Sequence, residues 1–188
     1  MTEWILKLFK PFIVWLGSVH FPYTKKKITG KEYYRWRDKI RTGDIILSTT
    51  NGELSNLINP SIIKHGSIYI GKRNGPICYV SEAIGVGVVQ TDLVTHLLSK
   101  DIVVVVRPKF KFSKKAVKNN AISRHGKEYD YLFDFSNKSY YCFEHVAMCF
   151  PDQELEKTAL LGHNYYDYTT FLEDQERFEV VMDSRRGA

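Results

Sequence analysis

Three cysteines and six histidines carry most of the chemistry open to this 188-residue chain. A thiol of ordinary pKa, about 8.5, is mostly protonated at neutral pH. It becomes a nucleophile when a helix N-terminus or a histidinium stabilises the thiolate. Cys142 meets the first condition, because the helical pattern of "YYCFEHVAMCF" starts close to it. Cys149 lies deep in the same segment, between Met148 and Phe150, and reads as a core residue. Cys78, in the apolar strand "ICYV", reads the same way.

The second condition needs a histidine. His20 belongs to an N-terminal arm and His163 to a Gly-Asn loop. His96 and His125 fall in the last turns of predicted helices, where a cation suits the helix dipole. His145, three residues after Cys142, reaches the thiol along one helix but leaves little room for a substrate between them. His65 opens the strand "HGSIYIG", with Gly66 beside it to admit a close backbone neighbour. A catalytic imidazole also wants a third group to fix its tautomer. Glu82 ends the strand "CYVSEA", and a two-residue hairpin turn pairs that strand with the one carrying His65. Paired strands lie about 4.8 Å apart, so the carboxylate can meet the imidazole. Plainer readings remain open: a core histidine for His65 and a solvated strand-end acid for Glu82. A zinc site from Cys142, His145 and His65 has no supporting ligand spacing, so neither metal nor cofactor is expected.

The elements that must position these residues can be read from periodicity and punctuation. "GKEYYRWRDKI" (30–40) predicts a short helix, and "GDIILST" (43–49) a buried strand after a Gly-Asp turn. "GELSNLIN" (52–59) predicts a helical turn. Strands follow at 65–71, 77–83 and 85–90, with the turn "KRNGP" (72–76) between the first two and Gly85 and Gly87 marking a bulge or tight approach. "TDLVTHLL" (91–98) predicts a helix with a Thr cap, and "IVVVVRP" (102–108) a fully buried strand. Ser113 and Gly126 bracket a helix over 113–126; further helices are expected at 140–150 and at the start of 169–183, which ends in a strand. Antiparallel strands with helices before, among and after them make an α+β fold, a sheet or barrel packed against helices.

Composition narrows the function. Hydrophobic content of 44% and charged content of 26% suit one globular domain. The net charge of +6 favours anionic partners, but the basic residues are dispersed and no nucleic-acid-binding motif accompanies them. Specific nucleic-acid binding is therefore not expected. Three cysteines without a CxxC pair are no disulfide framework and suit a reducing compartment. Residues 1–28 form an arm distinct from a domain at 29–188. On a helical wheel Glu3, Lys7 and Lys10 line one stripe, with Trp4, Ile5, Leu8, Phe9 and Phe12 opposite. The arm's longest uncharged run, 11–23, is too short for a span of about 20 residues, and no signal-peptide cleavage pattern follows. It fits either a helix packed on protein or an interfacial helix backed by Lys25–Lys27, so the chain is expected in the cytoplasm or peripheral to a membrane.

"GDIILST", "HGSIYIG", "YVSEAIGVGVV", "VVVVRP", "GKEYDYLFDF" and "YYCFEHV", in that order over about residues 40–182, resemble the permuted NlpC/P60 (papain-like) cysteine hydrolases of the YiiX type. There the histidine strand precedes the nucleophile helix. The resemblance implies Cys142 as nucleophile, His65 as base and Glu82 as the orienting acid, with Tyr129, Asp130 and Asp44 as structural residues. Where the family often has Cys-Ser-Glu this chain has Cys142-Phe143-Glu144, which implies a different pocket beside the nucleophile. The activity implied is acyl transfer through a thioester on an amide, isopeptide, γ-glutamyl or peptidoglycan-type bond. The alternatives are a lipid acylhydrolase or acyltransferase at a membrane surface, and a non-catalytic binding module on the same fold.

Overall fold

The structure is a computed structural model, and it describes residues 11, 12, 15, 28–51, 61–73, 75–131, 135, 138–160 and 163–186. Most of the arm and the helical turn expected at 52–59 lie outside these residues.

Six strands make one antiparallel sheet: β1 (Ile45–Thr49), β2 (His65–Lys72), β3 (Cys78–Ile84), β4 (Gly87–Asp92), β5 (Ile102–Pro108) and β8 (Phe178–Asp183). Their order is β4-β3-β2-β1-β5-β8, so the sheet is open, with β4 and β8 as its edges, and is not a barrel among the described residues. A small hairpin, β6 (Thr158–Leu160) with β7 (His163–Tyr165), was not foreseen in the sequence.

Both faces of the sheet are covered, which is why β1 and β5 read as unbroken apolar runs. Ile45, Leu47, Ile68, Ile70, Val104 and Val106 face one core. That core is closed by α3 (Lys114–Ile122), α4 (Cys142–Ala147) and α5 (Thr169–Leu172) through Val117, Ala121, Phe143, Val146 and Phe171. Ile46, Tyr69, Val80, Val103 and Val105 face a second core closed by α1 (Gly30–Arg37) and α2 (Leu93–Leu98) through Trp36, Leu93 and Leu97. Ile28 is buried in this second core.

Local chemistry sets the ends of the elements. Ser113 accepts from Ala116 N–H at 3.2 Å to start α3, which ends at Ile122 with Ser123 as its C-cap; Gly126 (φ 83°) is not the stop expected but turns the chain four residues on, its N–H donating to the Val88 carbonyl at 2.9 Å. α2 is capped by Asp92, the last residue of β4, which accepts from Thr95 N–H at 2.9 Å; Thr91, the cap expected, lies within β4 opposite Val80. Gly87 (φ 112°) lies so close to the Lys127 carbonyl that any Cβ would strike it at 2.3 Å, the tight approach expected there. Asp44, 1% exposed, binds Arg107 bidentately at 2.8 and 2.7 Å and accepts from Arg41 N–H. It pins the start of β1 to β5, the structural role expected of it.

Candidate active site

Cys142 is the first residue of α4, as the sequence pattern implied, with Tyr141 as the N-cap. The helix lies across β2, and what lets it come close is Gly66. A Cβ there would meet the Phe143 ring at 2.7 Å. The close neighbour is thus a ring and not a backbone. Phe143 is 7% exposed and stacks near Phe171, so its ring is part of the core beside Cys142.

His65 opens β2 at the rim of the sheet, where its ring can turn toward the start of α4. Its Nε2 is 2.8 Å from Glu82 Oε2. The β2–β3 turn is longer than the two-residue hairpin expected: Lys72 pairs Cys78, and the register shifts between Tyr69 and Gly71. The result sets Glu82 opposite Ser67 and diagonal to His65, on the same face, still within reach. The acid is 4% exposed, so it is no solvated strand-end carboxylate. With Nε2 on Glu82, Nδ1 is the other nitrogen of a ring that interacts electrostatically with Cys142.

The charges follow from these contacts. Burial alone pushes the His65 imidazole down, but its hydrogen bonds to Cys142 and Glu82 overrule that and lift it to about 9. Burial likewise pushes the Cys142 thiol up, and the His65 hydrogen bond and charge, with the Gly66 and Phe143 backbone, bring it below its ordinary value. Burial opposes the ionised form of Glu82 too, yet the hydrogen bond to His65 and the nearby His96 imidazole hold it far below the usual carboxylate range. The three shifts point the same way: each favours the charged form of its group, thiolate, imidazolium and carboxylate.

The other sulfurs behave differently. Burial pushes the Cys149 thiol up to about 12, and its Sγ–H donates to the His145 carbonyl at 3.2 Å. Cys78 is half-buried on β3 next to Tyr69. His145 is fully buried beneath the sheet, with Nε2 at 2.9 Å from Ser81 Oγ, and burial first, then Arg124, drive it down to about 3. It is a neutral core histidine and no base for Cys142. His125 is also pushed down by burial and shares Ser81 Oγ at 3.0 Å, so it is not the dipole-capping cation expected. His96, expected in the same role, is 1% exposed and faces Glu82 instead.

Tyr129, read as structural, lies beside the thiol: burial and the Cys142 charge raise its phenol well above the ordinary value. The chain brings it there through a short parallel bridge to Tyr140, with Asp130 N–H donating to the Tyr140 carbonyl at 3.2 Å. Nothing in "GKEYDY" says that the residues before the nucleophile helix fold back alongside it. Glu144, kept from the family's pattern, reaches back toward Tyr141 N–H at 3.4 Å and steadies the helix start.

A helix-borne cysteine set against a strand-borne histidine, with the strand earlier in the chain, is the arrangement of a circularly permuted papain-like fold. The family comparison agrees: the model for the permuted papain-like amidases of the YaeF/YiiX type, the C92 family, matches residues 39–182, and the chain belongs to that family. Among solved structures it is similar to the crystal structure of the metalloprotein yiiX from Escherichia coli O157:H7, with a TM-score of 0.61. The identity is 20%, over 76% of this chain and 97% of that one, so the likeness is one of fold. No curated protein matches the chain. Among the described residues no group of three or more His, Cys, Asp or Glu side chains is disposed to hold a metal ion.

Proposed function

We propose that the protein is a cysteine amidase whose catalytic residues are Cys142, His65 and Glu82. The observation that carries this reading is the cluster itself: a buried thiol at the start of a helix, lowered by a histidine whose Nε2 lies 2.8 Å from a buried carboxylate. In the reaction the Cys142 thiolate attacks the amide carbonyl carbon. The charge that develops on oxygen is met by the backbone N–H at the start of α4 and by the Tyr129 phenol. The His65 imidazolium gives its proton to the leaving amine as the C–N bond breaks, leaving a thioester on Cys142. His65, now neutral, takes a proton from water as its oxygen attacks the thioester; the Cys142 thiolate leaves, the acid is released and the starting ion pair is restored. Glu82 keeps the imidazole oriented throughout and offsets its charge.

A small activated ester, followed by peptide mapping, tests this. The acyl group is expected on Cys142, absent in Cys142→Ser, and transferred far more slowly in His65→Ala. Label on Cys78 or Cys149, or none, would sink the assignment. Turnover of γ-glutamyl, isopeptide and other amides against phospholipid vesicles then separates the amide reading from its rival. That rival, an acyl-lipid hydrolase or transferase, is favoured by one feature: Phe12 and Trp15 are 53% and 55% exposed and stack at 5.9 Å, as a helix meeting a membrane surface would present them.

A further inference from the structure

The carboxylate that orients His65 has a second imidazole on it. His96, in the last turn of α2, is 1% exposed, and its Nδ1 lies 3.3 Å from Glu82 Oε2, the same oxygen that His65 holds. The approach is looser than a formed hydrogen bond, and Nδ1 has no other partner. On the far side of the ring, Nε2 lies 3.1 Å from Ser67 Oγ. Ser67 in turn lies opposite Glu82 in the β2–β3 register and is 3.4 Å from the Ile46 carbonyl.

This geometry admits two tautomers of neutral His96. If the proton is on Nε2, that nitrogen donates to Ser67, whose hydroxyl turns to Ile46. Nδ1 then points a lone pair at a buried carboxylate oxygen, which repels it. If the proton is on Nδ1, the ring donates to Glu82, Nε2 accepts from the Ser67 hydroxyl, and every polar atom faces a complement. Protonating both nitrogens is opposed by burial and by the charges of Lys100 and His65, although Glu82 favours it. We infer that His96 is a positioning residue: as the Nδ1–H tautomer, set by Ser67, it fastens the Glu82 carboxylate in line with His65. The row then runs Ser67, His96, Glu82, His65, Cys142, with strands β2 and β3 and helices α2 and α4 each supplying a link. The inference rests on the proposed role of Cys142, His65 and Glu82.

Long-range 1H–15N NMR of the imidazole rings, with the His96 signals assigned by their loss in His96→Asn, reads the tautomer directly in the full-length protein. A proton on Nδ1 and none on Nε2 at pH 7 is expected. A proton on Nε2, or on both nitrogens, overturns the proposal whatever the protein's activity. Alkylation of Cys142 by iodoacetamide at pH 7 reads the consequence. His96→Phe fills the space but removes the donor, and slows alkylation about tenfold or more. His96→Asn keeps an N–H near the Nδ1 position and stays within about threefold of the unsubstituted protein. Equal rates in the two variants, whether both slow or both unchanged, would mean that His96 only packs. If Cys142 of the unsubstituted protein reacts no faster than Cys78 and Cys149, the reading of the site fails, and the NMR result still decides the tautomer.

Discussion

At the scale of residues, function rests on which groups are charged together. His65 lowers the Cys142 thiol, and Cys142 and Glu82 together raise the His65 imidazole to about 9. The sign of the pH dependence follows. The ion pair forms as pH rises through the depressed Cys142 value and is lost as pH rises through about 9, where His65 gives up its proton. Amide turnover, whose leaving amine needs that proton, is therefore expected to fall on an alkaline limb near 9; a limb near the ordinary histidine value of about 6.5 would contradict the raised imidazole. Tyr129→Phe removes a donor that acts on charge developing in the transition state. Steady-state kinetics are expected to show kcat down by about 10- to 100-fold with KM little changed. An unchanged kcat would return Tyr129 to a structural role.

At the scale of elements, the site depends on α4 lying close over β2. Gly66 makes that possible by having no side chain beneath Phe143. Gly66→Ala is expected to cost about 1–3 kcal/mol by overpacking, seen as a Tm lower by about 2–4 °C per kcal/mol. It also lifts Cys142 from His65, so thiol reactivity falls with it; a variant of unchanged Tm and reactivity would show that the helix does not rest on this glycine. The elements were largely legible in the sequence because periodicity and caps are local. "GDIILST", "HGSIYIG" and "IVVVVRP" announce strands, and Ser113 and the start near Cys142 mark helix N-termini that the structure keeps. Register was less legible. The longer turn after Lys72 could not be read from "KRNGP", and the diagonal meeting of His65 and Glu82 depends on it. The place of Tyr129 and of His96 beside the site was not legible for a related reason: each reaches it through a tertiary fold-back that no local pattern encodes.

At the scale of the whole molecule, one sheet buried on both faces separates two jobs. One core seats the nucleophile helix; the other seats α2, which carries His96 up to the acid. No helix among the described residues is long and apolar enough to cross a membrane. If the N-terminal arm serves as a peripheral contact, flotation on anionic vesicles is lost when residues 1–26 are removed, while Ile28 stays to fill its core. Equal flotation with and without them would make the arm a packing element. The central claim is tested most directly by the pH profile of iodoacetamide alkylation at each cysteine, followed by peptide mass spectrometry. Cys142 is expected to react much faster than Cys78 or Cys149 and to hold its rate well below the ordinary thiol pKa of about 8.5, with His65→Ala abolishing the advantage. Three cysteines of similar reactivity, each titrating as an ordinary thiol, would contradict it.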